Sequence, residues 1–351
     1  MSWATHNLKT VLLLNNAFPS EEDPKAGAYV KRIGECLELA GAKVNYLYLS
    51  NTFGSKFINY LLFYARIFLR DLNVDVIYFN HYSFYSFPFS IRTIKDKTLV
   101  FHWHGLELTT PNPKKTAVVR TVEKLSRRNK IIHIAPSQYY RRFVSQTFQC
   151  PDREIEVSAS GGVDIDFFTP RSLAEEEVKT RKLKVGFASG LNAQKGVKLL
   201  GKLLTDLVAM GCELQVLAYS TDSYGREFLK FAENQNSVSV LPKLDSNRLR
   251  EFYRDIDILL FIPAAPESLG LTPLEAMSCG TPVLGVNKYA ITEYIVPGVS
   301  GETFCPDAPG EFKEALSRLT NSLEGYAPRQ VIEKSFSMNS IATFYKSILS
   351  F

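Results

Sequence analysis

Short apolar runs alternating with longer stretches of helical periodicity restrict this chain more than any other feature. Val11 to Leu14, Val44 to Leu49, Val74 to Phe79, Leu99 to Trp103 and Ile131 to Ala135 form a first series. Leu183 to Ala188, Glu213 to Ala218, Val238 to Leu241, Ile256 to Ile262 and Pro282 to Val286 form a second. A strand buried on both faces reads as such a run, and parallel neighbours need a long crossover between them, so the alternation predicts parallel sheets with crossover helices. The series are separated by the Gly- and Pro-containing stretch Ser160 to Pro170 and the charge run from Ala174 to Lys182. At 351 residues the chain is long enough for two ordinary cores, and the boundary is expected there. Two doubly wound α/β domains would place function at strand-to-helix loops, outside the carboxyl ends of the strands.

Composition removes several classes. Cys36, Cys150, Cys212, Cys279 and Cys305 are odd in number and lack any C-x-x-C spacing, which argues against a disulfide framework or a zinc site and for a reducing compartment. The run Val11 to Leu14 is too short for a signal-peptide core, and Phe57 to Leu69 falls short of the roughly 20 residues that span a bilayer, so a cytoplasmic protein is expected. The net charge of +5 is uneven: residues 1 to 170 hold 21 Lys and Arg against 15 Asp and Glu, the remainder 20 against 21. No nucleic-acid-binding motif accompanies the basic half, so an anionic lipid surface ranks above nucleic acid.

The most informative segment follows the run Ile256 to Ile262. A loop from Pro263 to Leu271 leads to Thr272, Pro273 and Glu275, which together read as a helix cap, a first helical residue and a capping-box carboxylate, with Gly280 ending the helix. On that local reading Glu275 bonds the Thr272 amide and Glu267 is a solvated loop acid. The alternative is a ligand grip, because amides around Leu269, Gly270 and Leu271 at a helix N-terminus suit an anion such as a diphosphate. A second loop, Ser189 to Gly196, puts Lys195 at the start of a helix striped by Leu199, Leu200, Leu203, Leu204 and Leu207. A cation there opposes the helix dipole unless an anion offsets it; a phosphate ligand and a plain solvated lysine are the two readings. His102 and His104 end a strand two residues apart and should share a face, but no further metal ligands accompany them at suitable spacing.

Glu267, seven residues, Glu275 and then Ala276-Met-Ser-Cys-Gly-Thr-Pro-Val283 resemble the signature of the family 4 glycosyltransferases. Weaker matches in Ala135-Pro-Ser137, Gly162-Val-Asp164, Phe168-Thr-Pro170 and Phe336 to Tyr345 extend the resemblance over nearly the whole chain. It implies a GT-B fold: two Rossmann-like domains facing across a cleft, an acceptor-binding one at 1–165 and a nucleotide-sugar-binding one at 166–335, with a C-terminal helix at 336–351 crossing back. It implies retaining transfer from a UDP- or GDP-sugar, without metal or other cofactor, to a glycan or lipid-linked acceptor in surface polysaccharide or glycoconjugate synthesis. By the same resemblance Glu267 and His104 contact the donor sugar, and Gly27 belongs to a glycine-rich loop near it. Ser268, Leu269, Gly270, Leu271 and Thr272 line the sugar and phosphate sites, Lys195 faces the diphosphate, and Glu275 binds the ribose. The chain departs from the pattern at Gly190, where the family has arginine, at Ala26, and at Tyr289-Ala290, where it has Gly-Gly. A sugar epimerase, a phosphorylase or a non-catalytic sugar-binding protein are the competing readings.

On the acceptor side Phe53, Phe57, Tyr60, Leu61, Tyr64 and Phe68 recur at helical spacing among Lys56, Arg66 and Arg70. They describe either an amphipathic helix on a lipid surface or a core-facing helix. Lys114, Lys115, Arg120, Lys124, Arg127, Arg128 and Lys130 add a basic run, which hints at peripheral contact with an anionic membrane or is simply a solvated helix face.

Overall fold

The computed structural model describes residues 8–19, 27–49, 54–80, 87–105, 108, 113–171 and 182–349. These form two compact units, one from the described residues up to Gly162 together with those from Met338, the other from Val163 to Ser337. Ala26, Phe53 and most of the charge run from Ala174 lie outside the described residues, as does the side chain of Lys114.

The first unit is built on strands β1 (Thr10–Asn15), β2 (Lys43–Tyr48), β3 (Val76–Asn80), β4 (Thr98–His102), β5 (Lys130–Ala135) and β6 (Ile155–Val157). They pair in the order β2-β1-β3-β4-β5-β6, every pair parallel. Its helices are α1 (Ala28–Leu39), α2 (Lys56–Leu69), α3 (Pro88–Ile91), α4 (Pro113–Ser126) and α5 (Gln138–Phe148). Alternate residues of the central strands, among them Leu12, Leu14, Ile77, Phe79, Leu99 and Phe101, form one core with Phe63 and Ile67 of α2, Val122 and Leu125 of α4 and Tyr140 and Val144 of α5. The terminal helix of the chain (Met338–Leu349) packs along α1, and its Tyr345 hydroxyl meets that of Tyr78 at 2.8 Å.

The second unit contains β7 (Lys184–Phe187), β8 (Glu213–Ala218), β9 (Val238–Pro242), β10 (Ile258–Phe261), β11 (Val283–Val286) and β12 (Gly301–Phe304). Between them run α6 (Val197–Ala209), α7 (Ser223–Ala232), α8 (Ser246–Asp255), α9 (Leu271–Ser278), α10 (Glu311–Asn321) and α11 (Pro328–Ser335), and the terminal helix named above is α12. The order is β12-β11-β10-β7-β8-β9, again all parallel. Reading inward from β9, this is the doubly wound 3-2-1-4-5-6 arrangement, and the winding reverses between β7 and β10, the position at which open α/β sheets bind their ligands. The strands β10 and β11 are buried throughout, and α6 buries Leu200, Leu203, Leu204 and Leu207 against the sheet side of its stripe. Arg329 of α11 donates to the carbonyls of Phe168 and Ser278 at 2.9 and 2.8 Å, fixing the segment that enters the unit.

Ten of the strands follow the apolar runs of the sequence; β6 and β12, both at sheet edges, do not. Among the described residues no helix is long and apolar enough to cross a membrane.

Candidate active site

The loops after β7 and β10 leave the sheet side by side because those strands are neighbours, and two backbone features lock them together. The Gln194 carbonyl accepts from the amides of Ala264 and Ala265, at 2.9 and 3.0 Å. Gly196, at φ +92°, lies so close to Ile262 that an added Cβ would sit 1.8 Å from its carbonyl oxygen. Only glycine both adopts that backbone conformation freely and tolerates that approach. A third contact comes from beyond β11: the Tyr289 hydroxyl donates to the Ala264 carbonyl at 3.1 Å, and the Ala290 amide to that of Glu267 at 3.4 Å. Tyr289 holds a left-handed φ of +63° to do so.

On this frame Lys195 Nζ donates to Glu267 Oε2 at 2.8 Å. Lys195 sits in a short 3-10 turn (Ala193–Lys195) capped by the Asn192 side chain, directly before α6. The solvated-lysine reading is therefore corrected: the anion that offsets this cation is Glu267, and the carboxylate is not a solvated loop acid, its side chain being only 17% exposed. Removal of Lys195 would leave the Glu267 carboxylate without its partner and poorly hydrated.

The helix after Glu267 also differs from the local expectation. α9 begins at Leu271, not after Thr272, and Gly270 occupies the cap position at φ +88°. Thr272 is thus in the first turn, so the capping box that would give Glu275 a purely structural role is not built on it. Glu275 Oε2 instead accepts from the hydroxyl of Tyr253 at 3.2 Å. Tyr253 is buried, and burial beside Glu275 holds its hydroxyl protonated, well above its usual range. At the other end of α9, Gly280 at φ +86° and Thr281 return their amides to Met277 and Ala276, each at 3.0 Å, closing a Schellman turn one residue beyond the C-cap. Gly270 at the cap position brings no side chain, and the backbone amides of the first turn of α9, with those of Leu269 and Gly270, lie where an anion is favoured. Two buried hydroxyls of this unit, Ser189 Oγ after β7 and Tyr294 Oη, have no hydrogen-bond partner among the described residues. Tyr294 Oη is among the atoms nearest a Cβ placed on Gly270, at 3.1 Å. Buried polar groups are seldom left so; Ser189 belongs to the loop that carries Lys195, and Tyr294 lies beyond β11.

In the first unit His104 stands just past β4. Its Nε2 is 2.8 Å from Asn80 Oδ1 at the end of β3, its Nδ1 is 3.3 Å from Ser160 Oγ, and Tyr29 of α1 meets the ring edge-on. His102 shares the face, with ring centroids 4.2 Å apart, but is fully buried; burial lowers its pKa to about 3, and its Nδ1 is hydrogen-bonded with the Tyr78 hydroxyl at 2.7 Å. The pair therefore divides into a structural His102 and a half-buried His104. Gly27 caps α1 at φ +65°, and a Cβ there would meet the Ala17 carbonyl at 2.6 Å, so the loop after β1 closes tightly on α1. Sequence reasoning missed Gln194, Tyr253 and Tyr294, which act through backbone carbonyls or hydroxyls that carry no spacing signal.

Residues 169–334 match the model of the glycosyl transferases group 1. The match covers just under half of the chain and lies within the second unit. The chain is 27% identical over 177 residues to the D-inositol 3-phosphate glycosyltransferase of Paenarthrobacter aurescens (strain TC1), a match covering 47% of this chain and 43% of that relative. It is 25% identical over 180 residues to the sulfoquinovosyl transferase SQD2 of Arabidopsis thaliana, across 50% of this chain and 34% of the other. The matched stretch thus spans less than half the length of these curated relatives. Its fold is that of Anabaena HepE in complex with UDP and glucose, with a TM-score of 0.70, 18% identity, and 97% and 99% of the two chains covered. Rickettsia africae glycosyltransferase superposes with a TM-score of 0.73 at 17% identity, over 98% of this chain and 99% of that one. The architecture is GT-B, with two Rossmann-like domains.

Proposed function

We propose that this glycosyltransferase transfers a sugar, with retention of configuration, from a UDP- or GDP-sugar to a glycan or lipid-linked acceptor in surface polysaccharide or glycoconjugate synthesis. The observation that carries the reading is the Lys195–Glu267 pair at the switch point of the second sheet, beside the glycine-capped N-terminus of α9. A diphosphate placed there exchanges Glu267 for phosphate as the partner of Lys195, and the released carboxylate turns to the sugar hydroxyls. As the bond from the anomeric carbon to the diphosphate breaks, charge grows on the leaving oxygen, where Lys195 and the α9 amides stabilise it. The acceptor oxygen bonds to the anomeric carbon and its proton passes to the leaving phosphate. Glu275, steadied by Tyr253, takes the ribose, as the family resemblance implies. The complexes of Anabaena HepE with UDP-glucose support a UDP-linked donor. The role of arginine at the position of Gly190 falls to Lys195 and the backbone amides, and no metal is required.

Release of nucleoside diphosphate that depends on added acceptor, undiminished by a chelator, is the expected result, with the anomeric configuration of the product read by NMR. Release without acceptor consumption would point to an epimerase or hydrolase, and an inverted product would overturn the retaining assignment. Absence of any UDP- or GDP-sugar binding by calorimetry would leave a non-catalytic descendant.

A further inference from the structure

Helix α2 turns two apolar faces outward from its axis. Asn59, Phe63 and Ile67 face the core of the first unit. Opposite them stand Phe57, Ile58, Leu61, Leu62, Phe68 and Leu69, exposed by between 42% (Leu62) and 87% (Leu69). With 3.6 residues per turn these six and Ala65 fill one continuous arc, and Arg66 lies at its margin. The two sequence readings are not exclusive: the helix is core-facing and surface-apolar at once, and of the expected stripe Phe57, Leu61 and Phe68 are exposed whereas Tyr60 and Tyr64 are half-buried. No other helix among the described residues exposes more than two large apolar side chains. A solvent face this apolar marks an interaction surface.

Its surroundings identify the partner. α2 contains Lys56 and Arg66 and no acid, and Arg70 follows it. α3 packs against both α2 and α4, and on and just after α4 Arg120, Lys124, Arg127 and Arg128 are exposed. From Lys56 to Lys130 the sequence holds thirteen Lys and Arg against five Asp and Glu. An apolar arc rimmed by cations complements an anionic bilayer, with aliphatic and aromatic groups at the acyl boundary and basic groups among the headgroups.

We propose that α2 docks this protein on an anionic lipid surface, lying in the interface plane. The proposal deepens the lipid-linked reading of the acceptor, but it rests on the surface of the first unit alone and is tested without donor or acceptor, so either can fail without the other.

The full chain is sedimented with phosphatidylglycerol-containing vesicles and with phosphatidylcholine vesicles. Binding to the former, weaker binding to the latter and partial release by salt are expected. Leu61→Asn with Phe68→Ser should lower partitioning about ten-fold or more on both, with the thermal transition unchanged because neither side chain is in the core. Arg120→Ala with Lys124→Ala and Arg127→Ala should lower it roughly 100-fold on anionic vesicles only, at about five-fold per charge. The proposal is overturned if the wild-type protein stays in the supernatant with anionic vesicles or if the Leu61, Phe68 variant partitions as wild type. It is overturned equally if sedimentation velocity without lipid shows a dimer that this variant dissociates, since the occupant is then a second copy of the chain.

Discussion

Lys195 Nζ and Glu267 Oε2, 72 residues apart in sequence, lie 2.8 Å apart where the winding of the second sheet reverses. The pair makes an asymmetric prediction. Lys195→Met should weaken UDP or GDP binding by about 10- to 100-fold, because a cation facing phosphate and the neutralisation of Glu267 are lost together. Glu267→Gln should leave nucleotide affinity unchanged or raised, since Lys195 no longer has to leave a carboxylate. Its turnover should fall by about 100-fold or more. Calorimetry with the nucleotide and kcat with the sugar nucleotide separate the two; equal effects on both quantities in both variants would mean the pair is structural.

Tyr253 supplies a finer test of the second carboxylate. Tyr253→Phe removes the hydroxyl that donates to Glu275 at 3.2 Å and leaves the aromatic packing intact. Stability should drop by only about 1 kcal/mol, and nucleoside affinity should fall less than in Glu275→Ala. Calorimetric comparison of UDP with free phosphate would expose the role: both variants should lose affinity for the nucleotide and neither for phosphate.

The strands were legible in the sequence because burial on both faces writes itself as an unbroken apolar run. The edge strands β6, Ile155-Glu-Val157, and β12, Gly301-Glu-Thr-Phe304, each carry a glutamate and are too short to show a period. Glu267 and Lys195 were each visible as candidates, but their pairing depends on β7 lying beside β10, which is a property of topology and not of spacing. The start of α9 was misplaced by the strong Thr272-Pro273 signal, which is outweighed by Gly270 taking a positive φ between the loop and the helix. The aromatic face of α2 was legible as apolar, but a helical wheel alone could not say which of its two apolar sides met the core.

His133 gives the first unit a pH dependence of known sign. Burial lowers its pKa to about 4, and its Nδ1 accepts from Trp103 Nε1 at 3.1 Å, which requires the neutral ring. The folded form therefore binds fewer protons than the unfolded form, in which the ordinary value is 6.5. The contribution to stability is complete above about pH 6.5 and is lost as the pH falls toward 4. His102, lowered to about 3, acts in the same direction. His133→Phe keeps the stack on Phe148 but orphans the buried indole N–H, so it should lose about 1–3 kcal/mol at pH 7.5 and show a flatter fall in melting temperature between pH 6.5 and 5. An unchanged slope in that window would remove His133 from the acid response.

Two glycines with left-handed backbones separate conformational strain from close approach. Gly211, at φ +75°, has nothing within 4 Å of the place a Cβ would take, whereas at Gly196 the Cβ would lie 1.8 Å from the Ile262 carbonyl oxygen. Gly211→Ala should therefore cost only the left-handed penalty, about 1–2 kcal/mol. Gly196→Ala carries that penalty and must also push the loop after β7 off the loop after β10, so a loss of about 3 kcal/mol or more is expected. Because Lys195 and Gln194 sit on the displaced loop, Gly196→Ala should also weaken nucleoside diphosphate binding at temperatures where the variant is still folded, and Gly211→Ala should not. Urea unfolding followed by calorimetry measures both effects. Equal destabilisation by the two substitutions, with nucleotide affinity intact, would mean that the two loops are free to separate and that the frame around Lys195 and Glu267 is looser than the contact between Gly196 and Ile262 implies.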